Sequence, residues 1–536
     1  MKTQSISRRD FLRFTGLGFG AMLLQNPFQS LGRQVFSRPQ MDDPFMPDAE
    51  IDLTAAKKWV QILPGAQTQV WSYSGELMPN SSGVSVTNLP GIYLGPIIRA
   101  KSGTKVRINF HNDLGEDSVV HPHGLHVPED CDGQPMQAIH DGEMKQYDFQ
   151  VIDRAGPYWF HPHPMGRTAE QVVMGLAGLF PVWDDDEAIA VPGADTGAND
   201  IPVIIQDRMF DSNNQLLYQP NQMWGYLGDK ILVNGQVNQV FNLEPRAYRL
   251  RFLNGSNART YKLGWSNGMA LKVIGADGGL LPAVLSKSYV MIMPGERVDV
   301  WVDFSGQAGK QLILKSLSFT PGMMGGGGGG MGGGGMGGGG MGGGGCGCMG
   351  GSSLANGAAF NILTVNVGRT ASVKPKLGVF PKYSVKYDAS NVPNFNTPRP
   401  FTLEMSQMVW TINHRVYNMT DMTEVAEDEM VWKDEIMAWE WINNSPIPHP
   451  MHIHNCMFQV VKRTPPSSSS YATANQGFID TGWKDTVIVW PGEKVRVAMQ
   501  FSPYAGMYMY HCHILEHEDM TMMRNFMIMD PKMPMP

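Results

Sequence analysis

The residues best suited to chemistry crowd one stretch near the C-terminus, Tyr508-Met-Tyr-His511-Cys512-His513-Ile-Leu-Glu-His517-Glu-Asp-Met-Thr-Met522. Read as a strand, with side chains alternating between faces, it sends His511 and His513 to one side and Cys512 to the other. One thiolate can then bind a metal on one face while its two neighbours bind different metals on the opposite face. Cys512, His517 and Met522 supply three ligands of a His₂Cys site with a weak axial thioether, the set used for blue-copper electron transfer. Such a site still needs a second histidine.

Three further clusters provide it: His121-Pro-His123-Gly, His161-Pro-His163-Pro and His449-Pro-Met-His452-Ile-His454. A single His-x-His is more often structural; four, one of them wrapped round a cysteine, point to metal. Once His449 and His517 join Cys512, eight clustered imidazoles remain, a natural filling for three copper ions with positions left open for dioxygen. His111, His126, His140 and His414 fit no ligand pattern and read as structural or exposed.

Short strands must position these groups. From Ile51 onward, apolar-alternating runs such as Lys105-Val-Arg-Ile-Asn-Phe110 are broken by Gly, Pro and Asn-Asp turns, an all-β texture. Pro294-Gly-Glu-Arg-Val-Asp-Val and Pro491-Gly-Glu-Lys-Val-Arg-Val are near copies, and Lys101-Ser-Gly-Thr-Lys-Val-Arg-Ile reads as a weaker third. Recurrence at intervals of roughly 195 residues predicts three homologous β-sandwich domains. Their expected limits are 46–190, 191–370 and 371–536, after a leader at 1–45. The eight remaining histidines divide evenly between the first and third domains, so a shared cluster is predicted at the interface of those two.

Net charge is -7 and no basic run exists beyond the N-terminus, which argues against nucleic acid as a partner. Arg8-Arg9-Asp-Phe11-Leu12, followed by the apolar run Phe14 to Leu24, resembles a twin-arginine export signal, and the run is too short to span a bilayer. The mature chain is therefore expected in the periplasm or otherwise exported, with no membrane segment. Five cysteines, at 131, 346, 348, 456 and 512, are too few and odd in number for a disulfide scaffold. Cys131 and Cys456 leave two readings, a bridge between them or, preferred here, two buried free thiols.

The four motifs, in this order and across the whole mature chain, resemble those of the multicopper oxidases: laccases, bilirubin oxidases and bacterial copper-efflux oxidases. His511-Cys-His-Ile-Leu-Glu-His-Glu-Asp519 is most similar to the exported bacterial cuprous-oxidase branch. The resemblance implies three consecutive cupredoxin-like Greek-key β-sandwiches and four copper ions. It implies His449, Cys512, His517 and Met522 as type 1 ligands and His121 and His452 as type 2 ligands. The coupled type 3 pair would take His123, His161 and His513 on one ion and His163, His454 and His511 on the other. Asp132 and Glu518 match the family's proton donors, as four protons are consumed when dioxygen is reduced to water; on residue type alone, Asp132 in Cys-Asp-Gly would be a surface-turn aspartate. The implied activity is one-electron oxidation of a reductant coupled to four-electron reduction of dioxygen, carried out by a monomer. Methionine as the axial ligand suggests a low-to-moderate potential and easily oxidised reductants, Cu(I) first and also phenols or aromatic amines, with a role in copper tolerance. The alternatives are a laccase-like oxidase of organic phenols and a periplasmic copper-sequestering protein.

Residues 321–351 are almost wholly Gly, with Met323, Met324, Met331, Met336, Met341, Cys346, Cys348 and Met349. Glycine at this density cannot offset its ordering entropy, so a disordered loop projecting from the second domain is expected. Glycine expansion does not explain a methionine every fifth residue at 331, 336 and 341. Thioethers and thiolates suit Cu(I), so these eight residues read as capturing substrate copper rather than forming an inert linker. One departure from the copper-efflux oxidase stands against this. That enzyme carries an Asp and a Met that bind substrate copper just before the first type 1 histidine, whereas Asn443-Asn-Ser-Pro-Ile-Pro448 holds neither.

Overall fold

The computed structural model describes residues 45–322 and 353–532, apart from 195, 198, 372, 383 and 384. The twin-arginine stretch, and Met323, Met324, Met331, Met336, Met341, Cys346, Cys348 and Met349, lie outside the described residues. Among the described residues the strands form six sheets that follow one another in pairs. Sheets of four and five strands come from residues 49–183, of seven and five from 200–367, and of five and five from 399–529. Each pair encloses its own apolar core, giving three cupredoxin-like β-sandwiches as the resemblance implied. No helix among the described residues is long and apolar enough to cross a membrane.

One pairing recurs in all three sandwiches: a first strand runs parallel to a second, which runs antiparallel to a third. The trios are Ala49–Val60 with Lys105–Asp113 and Met144–Gln150; Asp200–Arg208 with Ala247–Asn254 and Arg297–Asp303; and Arg399–Ser406 with Ile436–Asn443 and Lys494–Gln500. This corrects the repeat read from the sequence. Lys101-Ser-Gly-Thr-Lys feeds a middle strand, whereas Pro294-Gly-Glu and Pro491-Gly-Glu feed third strands. Their counterpart in the first sandwich is Asp141-Gly142-Glu143, ahead of Met144–Gln150. Gly142, Gly295 and Gly492 share a left-handed turn, with φ of 79°, 84° and 74°. A turn phrase followed by alternation specifies a strand entry, but long-range pairing decides which place in the sheet the strand takes.

Two features frame the site. Gln311–Ser316 and Phe360–Val367 pair as an antiparallel hairpin. The Phe319 amide donates to the Gly357 carbonyl at 3.0 Å, so the Met-Gly run is inserted at the end of a closed hairpin. The short helix Thr168–Met174 follows His163, and its first amides, Thr168 and Ala169, donate to the Asp519 carboxylate at 3.1 and 2.9 Å. That contact stitches the first sandwich to the third beside the histidines of both.

Candidate metal centres

Strand alternation sorts the ligands. His449–Ile453 pairs antiparallel with Gly506–Cys512, setting Met451 opposite Cys512 and His452 opposite His511. His449 and Cys512 therefore share one face, while His452 and His511, with His454 and His513 just past the strand ends, share the other. In the first sandwich His121 lies opposite His161 across an antiparallel pair, which sets out His121, His123, His161 and His163 in the same way. These nine histidines, and His517 with them, are buried.

On the sulfur face, Cys512 Sγ lies 3.2 Å from His449 Nδ1 and 3.6 Å from His517 Nδ1. The far nitrogens are occupied: His449 Nε2 meets Ser445 Oγ at 2.8 Å, and His517 Nε2–H donates to the Met223 carbonyl at 3.1 Å. The carbonyl fixes the tautomer of His517, and the Ser445 hydroxyl, which donates to the Ile447 carbonyl at 3.1 Å, is left to accept from His449 Nε2–H, so both rings aim an Nδ1 lone pair at the sulfur. Met522 is buried in the same core, its carbonyl accepting from the Cys512 amide at 3.1 Å and its amide donating to the His517 carbonyl at 2.8 Å. Burial pushes the Cys512 thiol up, so a thiolate here needs a bound cation.

On the other face, eight imidazoles from the first and third sandwiches converge. Nδ1 is engaged in five of them: His121 with the Asp132 carbonyl, His161 with the Pro162 carbonyl, His452 with the Asp485 carbonyl, His454 with Asp132 Oδ2 and His511 with the Cys512 carbonyl, at 2.6 to 3.1 Å. Their Nε2 lone pairs point inward. His511 Nε2 stands 3.1 Å from His454 Nε2 and 3.5 Å from His163 Nε2. His123 is reversed, with Nε2 on Asp485 Oδ1 at 3.1 Å and Nδ1 facing His161 Nε2 at 3.4 Å. His121 Nε2 and His452 Nε2 are buried with no hydrogen-bond partner. Burial pushes down the pKa of His121, His123, His161, His163, His454, His511 and His513, that of His163 to about 4. Buried lone pairs facing one another repel and forfeit hydration, an arrangement a bound cation resolves. The residues therefore fit copper.

Two groups of ligand atoms coincide with histidines and the cysteine of sets implied by the resemblance, and the remaining imidazoles converge without separating into sets. His163, His454 and His511 have ligand atoms mutually within 4.8 Å, as do His449, Cys512 and His517. The His513 ring centroid lies 5.0 and 5.2 Å from those of His123 and His161. The His121 and His452 ring centroids lie 5.8 Å apart. His121 also stands within 4.8 Å of the His123–His161 and the His452–His454 ligand atoms, so one cluster spans all three groups.

Both expected acids are buried against this cluster. Asp132 Oδ2 accepts from His454 Nδ1, so it is not a surface-turn residue, and Oδ1 has no hydrogen-bond partner. Glu518 approaches His511 Nδ1 at 3.2 Å and His163 Nε2 at 3.5 Å. Burial pushes both carboxyls up. Cys131 and Cys456 are buried free thiols. His126 pairs with Asp153, and His140 and His414 lie at the surface beside Asp117 and Glu404.

Sequence reading missed the buttress behind the cluster. Asp485 holds two histidines at once, and Arg297, from the second sandwich, donates to its Oδ1 from Nη1 at 2.7 Å. The buried Lys484 ammonium pairs with Asp277 at 2.8 Å and Glu296 at 3.2 Å. The second sandwich supplies no histidine but braces those of its neighbours. Its Pro294-Gly295 turn meets His513, where a Cβ on Gly295 would stand 2.8 Å from the ring. Gly295→Ala adds a left-handed φ of 84° to that clash. It should cost about 1–3 kcal/mol and displace His513, which denaturant unfolding and the copper content of the purified variant would register.

Two family models described as multicopper oxidase match the chain, over residues 57–187 and 393–532. The chain is 30% identical over 509 residues to the laccase of Bacillus subtilis strain 168, covering 87% of this chain and 91% of that one. It is 31% identical over 438 residues to the multicopper oxidase mco of Staphylococcus haemolyticus, covering 81% of each. The crystal structure of McoA multicopper oxidase from the hyperthermophile Aquifex aeolicus matches with a TM-score of 0.73 at 33% identity, covering 90% of this chain and 97% of that one. With its buried His-Cys-His strand and eight converging imidazoles, the chain belongs to the multicopper oxidase family, whose enzymes couple copper-dependent oxidation of a substrate to the reduction of dioxygen.

Proposed function

We propose that this protein is a cuprous oxidase, oxidising Cu(I) and also phenols or aromatic amines, and that it serves copper tolerance. In this reading His449, Cys512, His517 and Met522 hold type 1 copper, and His121 and His452 hold type 2 copper. His123, His161 and His513 with His163, His454 and His511 hold the type 3 pair, four ions in all. All the ligands come from one chain, which supports a monomer. The domain limits proposed, 46–190, 191–370 and 371–536, each enclose one pair of sheets. Export through a twin-arginine segment is part of the same proposal and rests on residues 8–24.

The substrate reading is carried by the mouth of the sulfur site. His517 Nε2–H and Trp410 Nε1–H donate to the carbonyls of Met223 and Gln222, both at 3.1 Å, so this segment covers the edge of His517. The Trp410 ring lies 4.4 Å from that of His517, and Met405 sits directly opposite Trp410 in the antiparallel register. Met223, Met405 and Met520 pack half-buried against the core that holds Cys512. Thioethers on the segments that cover the entry imidazole, Met223 at its carbonyl contact and Met405 paired with Trp410, suit a soft monovalent cation. Met223→Leu with Met405→Leu, which keeps apolar volume, should raise KM for Cu(I) about tenfold and leave that for a simple phenol unchanged. Oxygen uptake with each reductant tests it; equal effects on both, or on the phenol alone, would favour a laccase-like oxidase.

Bound copper supplies the one-electron relay and the four-electron reduction of dioxygen to water. The chain does the rest. Cys512 links the sulfur face to His511 and His513 through its own backbone. Asp132 and Glu518, whose carboxyls burial pushes up, serve as proton donors at the edge of the histidine cluster. Asp132→Asn keeps an acceptor for His454 Nδ1 and loses the acid. It should leave copper content unchanged and slow turnover about 10²-fold or more; an unaltered rate removes Asp132 from the proton path.

A further inference from the structure

A small cluster apart from the main cores consists of four thioethers and a phenol. Met509, Met523 and Tyr417 are 0%, 2% and 3% exposed, and Met165 and Met422 pack half-buried against them. Two of these methionines sit on the segments that carry the histidine cluster, and a third sits on the strand beside one of them. Met165 follows His163 by two residues, Met509 precedes His511 by two, and Met523 lies opposite His511 in the antiparallel register. Alternation puts Met509 on the His511 face, and direct pairing puts Met523 there as well. Met422 is held from outside: its carbonyl accepts from Asn525 Nδ2 at 3.0 Å and from the Tyr417 hydroxyl at 3.4 Å.

The donor chemistry is narrow. Methionine makes up 38 of 536 residues, yet four of the five side chains in this cluster are methionine, a denser grouping than in the core of the same sandwich, where Met437, Met451, Met499 and Met522 are dispersed among aromatic and branched aliphatic residues. The cluster holds no carboxylate or imidazole, so it offers little to Zn²⁺, Ca²⁺ or Mg²⁺, while thioethers favour Cu(I) and its analogue Ag(I). Met165 and Met422 are half-buried and Met509 and Met523 buried, so the cluster reaches from near the surface to the strand that carries His511. Methionine as a mere gap filler would be replaceable by leucine at no functional cost.

We propose that Met165, Met422, Met509 and Met523 form an all-thioether site for a soft monovalent cation, which stages Cu(I) beside the histidine cluster. The site lies on the histidine face of Gly506–Cys512, across the strand from the mouth at His517, and does not depend on Cu(I) being the enzyme's reductant. Two measurements on the copper-loaded protein test it. Anomalous scattering from crystals soaked in Ag(I) should show a silver peak among these four sulfurs; silver bound elsewhere with none there overturns the proposal. In equilibrium dialysis, Met165→Leu with Met422→Leu should bind one Ag(I) fewer than the parent. The blue absorption of the variant reports that its fold is intact, and an equal silver count overturns the site.

Discussion

Replacing Cys512 by serine is expected to abolish the blue absorption and reduce oxidase turnover to background while leaving the fold in place. Serine is nearly isosteric, and its hydroxyl can still accept the Ile514 amide that reaches Cys512 Sγ at 3.4 Å. What is lost is the soft donor, 3.2 and 3.6 Å from the two histidines that share its face. The strand pairs Met451 with Cys512 and His452 with His511, so the histidine face does not depend on the sulfur. Metal analysis should therefore find the histidine cluster still loaded and one copper missing. Oxidation of Cu(I) or a phenol at the parental rate would refute Cys512 as the entry ligand.

Arg297→Met is expected to cost about 3–5 kcal/mol of stability, because it leaves the buried Asp485 carboxylate without its cation. The guanidinium is fully buried and also donates to the carbonyls of Pro157 at 3.0 Å and Gly295 at 2.9 Å, so it touches all three sandwiches. Burial alone would raise the Asp485 carboxyl; the Arg297 charge, and after it His123, holds it well below the ordinary carboxylate range. A depressed folded value contributes stability that is present above the unfolded pKa, about 3.9, and lost as pH falls through the folded value. Without Arg297 the carboxyl moves the other way, so the deficit of the variant should narrow between about pH 7 and pH 5. Denaturant unfolding at both pH values measures this. Adding Asp485→Asn should recover part of the loss at pH 7.

What the sequence made legible was whatever is encoded locally. The His-x-His pairs and the His-Cys-His strand sort their side chains by a period of two, which needs no tertiary knowledge. The partners that fix each ring are long-range. Asp485 reaches His123 across 362 residues, Arg297 reaches Asp485 across 188, and Met223 reaches His517 across 294. An aspartate in Lys-Asp-Thr or an arginine in Gly-Glu-Arg carries no local mark of that role. The repeat shows the same limit. Asp141-Gly142-Glu143 shares Gly-Glu with the other two turns, whereas Lys105-Val-Arg-Ile shares its strand phrase with Lys494-Val-Arg-Val, and neither likeness reveals which strand pairs with which. Cys131 and Cys456 are free thiols, as their residue type alone suggests, since a small apolar side chain is commonly buried without a partner.

The most direct test of the central claim is oxygen uptake by the copper-loaded protein with Cu(I) and, separately, with a simple phenol. It should be run on the full chain and on a chain lacking residues 323–352, which the hairpin of Gln311–Ser316 with Phe360–Val367 leaves free to close. The account predicts preferential turnover of Cu(I), falling selectively when the Met-Gly segment is removed. Faster turnover of the phenol, unchanged by the deletion, would contradict it and make the protein a laccase-like oxidase with an incidental insert.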